Sequence, residues 1–276
     1  MYTLNCKGRL LVVDKPQVMG IINCTPDSFY EGSRFLTKDE ALREAEKMLI
    51  EGATILDIGA QSTRPGSPRI GAEEELKRVI DIIESIHGHF PEAILSIDTY
   101  FSQVAEEAVK AGASIINDIS AGSMDEAILI IAAKLKTPYI CMHMKGEPAT
   151  MQQDPHYDDI TKEVLEFFIQ KLYQCKQAGI EDVIIDPGFG FGKTIQHNFR
   201  LLKELAAFQI LKKPLLLGLS RKSTIYRTLG VTVEAALNGT TVLNTIGLIN
   251  GAHILRVHDV KEAMETIKLF ETYRLG

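Results

Sequence analysis

Val183-Ile184-Ile185-Asp186-Pro187-Gly188-Phe189-Gly190-Phe191-Gly192-Lys193 opens with a short β-branched run that suits a strand buried on both faces. Asp186 puts a carboxylate where that strand ends, and Pro187 stops the strand because it has no N–H to donate. A carboxylate at the mouth of an apolar strand is costly unless it is paired. The glycine–aromatic tract behind it suits close approach of backbone to a ligand, with a phenyl ring laid over it. A left-handed turn whose amides satisfy Asp186 is the other reading. Pro187 and Lys193 stand where a Walker A loop and a dinucleotide fingerprint each need glycine, which excludes both nucleotide motifs.

The same pattern recurs along the chain. Apolar runs lie at 18–23, 55–59, 93–98, 114–117, 138–142, 183–186, 214–218 and 253–257. Segments of helical period separate them, at 38–51, 72–86, 101–111, 125–135, 158–178, 197–208, 233–250 and 260–273. Thr37-x-x-Glu40, Ser123-x-x-Glu126 and Asp259-x-x-Glu262 have capping-box spacing, and Glu73, Glu74 and Glu75 put negative charge in a first turn. Gly52, Gly112 and Gly179 stand where C-cap glycines belong. Strands alternating with helices over this length predict a (β/α)8 TIM barrel, one α/β domain over residues 1–276. A doubly wound sheet is the alternative. Residues 2–13 read as a β-hairpin around Lys7-Gly8, placed to cap the N-terminal end of the barrel.

Composition narrows the function classes. A 276-residue chain with 45% hydrophobic content can bury a full core, and a net charge of −6 argues against nucleic acid as a partner. Neither a signal peptide nor an apolar run long enough for a membrane helix is evident, so a cytoplasmic protein is expected. The four scattered cysteines are expected to be reduced thiols.

In such a barrel the active site lies at the C-terminal ends of the strands. That rule gathers Asn23, Asp98, Asn117 and Asp186, with Asp57 nearby, then Ser220-Arg221-Lys222, Arg256 and His258. Asp98, Asn117 and Asp186 offer acceptors and one amide donor, which match the amino-pyrimidinone edge of a flat heterocycle. Lys222, Arg256 and His258 suit an anion, and Asn23 an oxygen ligand for Mg2+. For any one of these residues an ion pair holding the barrel rim is the competing reading. Met142 is expected to pack beneath the ligand, and His143 to be a satisfied core histidine. The long loops at 25–35 and 62–71 have the length of lids.

Motifs in this order make the sequence resemble the dihydropteroate synthase family of the folate pathway, which sulfonamides inhibit. They read Ile22-Asn23-Cys24-Thr25-Pro26-Asp27-Ser28-Phe29, Asp57-Ile58-Gly59-Ala60-Gln61-Ser62-Thr63-Arg64-Pro65-Gly66, Ser96-Ile97-Asp98-Thr99 and Ile116-Asn117-Asp118. Met142-His143-Met144, the tract from Asp186 to Lys193, Gly218-Leu219-Ser220-Arg221-Lys222-Ser223 and Arg256-Val257-His258 follow.

The resemblance implies transfer of 6-hydroxymethyl-7,8-dihydropterin from its diphosphate to 4-aminobenzoate, by loss of diphosphate and then amine attack. It implies that Asp98, Asn117, Met142, Asp186, Gly218 and Lys222 hold the pterin. Asn23, Arg64, Arg256 and His258 would hold the diphosphate, with Mg2+ on Asn23. Thr63, Arg64, Pro65, Phe191, Ser220 and Lys222 would form the 4-aminobenzoate side. Lys222, Asp186, Arg256 and His258 would be the catalytic set, in a homodimer. Cys24, Ala60-Gln61 and Tyr30-Glu31-Gly32-Ser33 depart from the usual family residues. A corrinoid-type pterin methyltransferase would share the Asp-Asn-Asp pocket but has no need of Lys222, Arg256 and His258. A silent pterin-binding protein would show loss of an anion-site residue, and none is lost.

Overall fold

The computed structural model describes residues 1–24, 37–61, 69–147 and 150–276. Strands β1 (Tyr2–Cys6) and β2 (Arg9–Val13) pair antiparallel. Lys7 and Gly8 join them with φ of 53° and 87°, the two positive angles that match a tight hairpin to strand twist.

Eight parallel strands follow: β3 (Gln17–Asn23), β4 (Ile55–Gly59), β5 (Ile94–Asp98), β6 (Ile115–Asp118), β7 (Tyr139–Met142), β8 (Val183–Asp186), β9 (Leu216–Leu217) and β10 (Ile254–Val257). Their order is β8-β7-β6-β5-β4-β3-β10-β9, and a bridge between Ile185 and Leu215 joins the two ends into a barrel. The outer layer is α1 (Lys38–Glu51), α2 (Ala72–His89), α3 (Ser102–Ala111), α4 (Ala127–Leu135), α5 (Ile160–Ala178), α6 (Ile195–Lys203), α7 (Ser223–Leu229), α8 (Leu237–Ile249) and α9 (Val260–Leu275). The barrel and the hairpin agree with the expected architecture.

Local chemistry sets the boundaries. Thr37 accepts from the Glu40 amide while Glu40 reaches back to the Thr37 amide, so the predicted capping box starts α1. The other two boxes do not form. Asp125, rather than Ser123, accepts the Ala127 amide at 3.1 Å, and Asp259 gives both oxygens to Arg221 at 2.8 Å. A bidentate guanidinium outcompetes a backbone amide for a carboxylate. The helix expected over 197–208 is α6 followed by a 3-10 segment, Leu205–Leu211, and α7 is a helix that periodicity did not reveal.

Two apolar layers flank the barrel wall. One face of each strand packs under the helices, with Leu56, Ile97, Ile116, Cys141, Ile185, Leu217 and Val257 all buried there. The other face points inward. Met19, Ile55, Ile94, Ile115, Ile140, Ile184, Leu216 and Ile254, one from each barrel strand, form a ring, and Leu4, Cys6, Leu11 and Val13 of the hairpin cover it. The four cysteines are free and buried. Among the described residues no helix is long and apolar enough to cross a membrane.

Candidate active site

The ring fixes what the mouth of the barrel contains, because side chains on one face of a strand recur every second residue. Two residues beyond the ring stand Asp57, Ser96, Asn117, Met142, Asp186, Gly218 and Arg256, and four beyond it Asn23, Asp98 and His258. The structure therefore brings nearly all of the expected residues to one end of the barrel. Thr63, Arg64 and Pro65, and most of both long loops, lie outside the described residues.

Arg256 and two carboxylates occupy the centre. Its Nε donates to Asp57 Oδ2 at 2.6 Å, and its Nη2 lies 2.6 Å from both Asp57 Oδ2 and Asp98 Oδ2. Asn117 Nδ2 donates to the same Asp57 oxygen at 2.9 Å. Asp57 is wholly buried, and its Oδ1 has no partner among the described residues. Burial pushes the Asp98 carboxyl up to about 7 against the pull of Arg256, and Asp57 and Asp118 add to the rise. The guanidinium is thus already neutralised on one edge, and its Nη1 makes no hydrogen bond among the described residues.

The opposite wall is built around Asp186 and Lys222. Asp186 Oδ1 accepts the Gly188 amide at 2.8 Å. Burial raises the carboxyl pKa, opposed first by Lys222. A Cβ placed on Gly218 would lie 3.7 Å from Lys222 Nζ and 3.8 Å from Asp186 Oδ2, so both groups border the space this glycine leaves. Lys222 Nζ donates to the Phe189 carbonyl at 2.7 Å and sits 4.7 Å from the centre of the Phe191 ring, a cation–π distance. Burial lowers its pKa to about 8, although Asp186 opposes the shift.

At the rim, Ser220 Oγ accepts the His258 amide at 3.2 Å and lies 3.0 Å from His258 Nδ1. Oγ keeps its own proton free to donate to Nδ1, and in that tautomer the imidazole carries its proton on Nε2. Desolvation at the rim lowers the His258 pKa first and the Arg256 charge second; the ring's open face limits the first. Asn23, at the end of β3, is exposed. Phe191 packs with Tyr100, Ile119, Met142 and Met151 in an apolar cluster above the mouth.

A family model described as pterin binding enzyme matches residues 19–258, the span over which these groups converge. The chain belongs to the pterin-binding enzyme family. The dihydropteroate synthase of Escherichia coli (strain K12) is 45% identical to it over 270 residues, 97% of this chain and 95% of that protein. A crystal structure of Yersinia pestis dihydropteroate synthase with a sulfonamide drug complex superposes with a TM-score of 0.95 at 41% identity, covering 100% of both chains. Xanthomonas albilineans dihydropteroate synthase in complex with 7,8-dihydropteroate matches with a TM-score of 0.90 at 36% identity, also over 100% of both.

Two groups in this pterin-binding enzyme carry more than their place in the sequence suggested. Asp57 joins Arg256 to Asn117, and the signal for it was a carboxylate in the inward phase of a fully buried strand. Lys193, read from the sequence as a motif-breaking residue and as the end of a family tract, is fully enclosed and donates at 2.9 Å to Gly188 O and at 3.0 Å to Phe191 O. His143, at 2.9 Å from Lys193 through Nδ1, is the satisfied core histidine that was expected.

Proposed function

We propose that this chain is a dihydropteroate synthase, a transferase that condenses 6-hydroxymethyl-7,8-dihydropterin diphosphate with 4-aminobenzoate to 7,8-dihydropteroate and diphosphate. The observation that carries the proposal is one mouth holding two unlike halves. Acceptors from β5, β6 and β8 face it on one side, and Lys222, Arg256 and His258 stand beside them. The Xanthomonas albilineans enzyme bound to 7,8-dihydropteroate, and the same organism's enzyme bound to 4-aminobenzoic acid, support the choice of substrates.

In this reading Asp98, Asn117 and Asp186 accept from and donate to the amino-pyrimidinone edge, while Met142 and Gly218 border the ring. Arg256 through Nη1 and His258 through Nε2–H take the diphosphate. The C–O bond to the leaving group breaks first, and the cation on the exocyclic methylene is spread into the dihydropterin. The 4-aminobenzoate nitrogen then forms the new C–N bond and gives up a proton. Fixed acceptors at the ring and fixed donors at the leaving oxygens lower the charge-separation cost, because neither set must reorganise. Phe191, Ser220 and Lys222 border the amine side, to which the family resemblance also assigns Thr63, Arg64 and Pro65. No protein nucleophile takes part.

Asn23 offers one exposed amide oxygen, and among the described residues no cluster of three acidic, histidine or cysteine side chains could hold a cation. That sparse donor set fits Mg2+, which is held mainly by phosphate oxygens and water. When bound it would offset leaving-group charge beside Arg256. The reading includes a cytoplasmic homodimer. Val242, Ile246 and Ile249, exposed along one side of α8, support a subunit contact, and sedimentation velocity tests it.

The deciding experiment mixes purified protein with the dihydropterin diphosphate, 4-aminobenzoate and Mg2+, and follows 7,8-dihydropteroate by chromatography. Product dependent on both substrates is expected. Its absence sinks the assignment.

A further inference from the structure

We infer that Lys193 is a positioning residue whose buried ammonium sets the loop after β8, and through it the placement of Phe191 and Lys222 toward the amine substrate. The inference rests on the dihydropteroate synthase reading above.

Lys193 is 2% exposed and has no carboxylate in contact among the described residues. Its Nζ instead faces four acceptors: His143 Nδ1 at 2.9 Å, His143 O at 3.3 Å, Gly188 O at 2.9 Å and Phe191 O at 3.0 Å. An ammonium has three protons to share among them, whereas a neutral amine has two and would strand buried acceptors. Burial lowers the Lys193 pKa and Asp186 opposes that shift, while burial and then Lys193 itself lower the pKa of His143. The His143 direction agrees with a neutral ring that accepts, whereas the Lys193 direction works against the charge, so it is the four acceptors around Nζ that place the proton on Lys193. A charge enclosed without a counter-ion is an expensive way to fill space, and an apolar side chain would do that at lower cost.

What the ammonium gathers is the loop that carries the amine side of the site. The Gly188 amide binds Asp186 Oδ1, the Phe189 carbonyl receives Lys222 Nζ, and the Phe191 ring lies against the same Lys222. Gly188 O accepts from Lys193 and, at 3.1 Å, from the Phe191 amide, so one carbonyl links the cation to the ring-bearing residue. The loop also presses on the end of β7. A Cβ on Gly188 would stand 1.9 Å from His143 O, and one on Gly192 2.2 Å from Lys145 O. With φ of 67° and 62°, both positions admit only glycine in practice. Lys193 binds the two sides of this close approach to each other. Other ties to the loop are Tyr157 Oη to Gly192 O at 2.9 Å, Gln152 to Gly190 O, and the Gly190 amide to Asn198 Oδ1 at 2.9 Å.

Lys193→Met, nearly isosteric and uncharged, tests the role in the full chain, with Tyr157→Phe as a variant that loosens the same loop without removing the cation. Steady-state kinetics with both substrates are compared with calorimetric binding of 6-hydroxymethylpterin, which carries no phosphate. Lys193→Met is expected to lower kcat/KM for 4-aminobenzoate about 100-fold, the scale of an ångström-sized misplacement, with 6-hydroxymethylpterin affinity changed by less than about threefold. Tyr157→Phe should reduce Tm without that split. Equal losses for both ligands in Lys193→Met, or the same split in Tyr157→Phe, would overturn the inference in favour of general loosening. Should Lys193→Met not fold, His143→Phe removes one acceptor at similar volume. It must show a smaller loss in the same direction, and no selective loss counts against the inference. Wild-type turnover, measured first, tests the functional reading separately. Without turnover, titrations of 4-aminobenzoate and 6-hydroxymethylpterin into wild type and variant make the same comparison.

Discussion

Asp57→Asn is the substitution whose cost can be worked most directly from the structure. Asp57 Oδ2 receives Arg256 Nε at 2.6 Å and Asn117 Nδ2 at 2.9 Å, and Arg256 Nη2 is 2.6 Å away. The residue is 0% exposed, so water does not screen these contacts. Charge-assisted hydrogen bonds contribute roughly 1.5–3 kcal/mol each and neutral ones roughly 0.5–1.5. An asparagine that keeps its oxygen at the same point makes the Asn117 contact neutral and leaves the two Arg256 contacts assisted by one charge instead of two, at a cost of about 1 kcal/mol on each. Its new amide would also occupy the position of Oδ1, which has no partner among the described residues. Arg256 keeps Asp98, which limits the damage to about 3 kcal/mol, the lower end for breaking a buried ion pair. For a chain of this size that corresponds to a Tm lower by about 6–12 °C. Urea unfolding followed by far-UV circular dichroism at pH 7 measures it. A double-mutant cycle with Arg256→Gln isolates the pair, with a coupling of about 2–3 kcal/mol expected. A single-variant change below about 0.5 kcal/mol, or a coupling near zero, would refute the central pairing.

Asp186→Asn should weaken 6-hydroxymethylpterin binding by about 1–3 kcal/mol, because a donor then faces the ring's N–H groups; equal calorimetric affinity in both proteins would contradict the pterin placement. Lys222 has its pKa lowered to about 8, so its charge is present below that value and lost as pH rises through it. The alkaline limb of kcat/KM should therefore fall with an apparent pKa near 8, and Lys222→Met, although much less active, should lack that limb. Glu75 is fully buried, and its oxygens lack a well-formed hydrogen bond among the described residues, with the Thr99 side chain a donor that favours the charged form without outweighing burial. Burial raises its pKa to about 7, so the folded state holds a proton that the unfolded chain releases nearer 4.5. Its contribution is greatest at low pH and declines as pH rises to 7, by about 3 kcal/mol in all. Glu75→Gln should flatten that decline, as unfolding at pH 5 and pH 8 will show.

The barrel was legible because strand ends announce themselves chemically. β4 and β8 fall at 55–59 and 183–186 as read, where an apolar run meets glycine or proline. The β9 region was harder, since only Leu216 and Leu217 pair as a strand between Pro214 and Gly218. α7 escaped because seven residues carry too few turns to show a period. Asp98, Asn117, Asp186 and Arg256 could be gathered from the position rule alone, but their partners could not. Which carboxylate Arg256 chooses depends on the register of β10 against β3 and of β3 against β4, and Asp57 reaches it across the one strand between, β3. Asp259 shows the same limit: its spacing to Glu262 suits a cap, yet Arg221, far away in sequence, takes both oxygens. Lys193 was opaque for a related reason, since three of its four acceptors are backbone carbonyls, and those carry no signature in a sequence.

The hairpin over the inner ring has a consequence for how the chain reaches this state. Leu4, Cys6, Leu11 and Val13 rest on a surface to which every barrel strand contributes one residue, the last being Ile254. That surface does not exist until β10 has paired with β3, a contact between the two extremes of the barrel sequence. The earliest apolar segment is therefore among the last to be covered, and pairings this distant in sequence are slow to form. Before closure the hairpin's apolar face has no complete surface to rest on. The part that stoppers the finished barrel is thus the part most exposed to self-association while the barrel is being made.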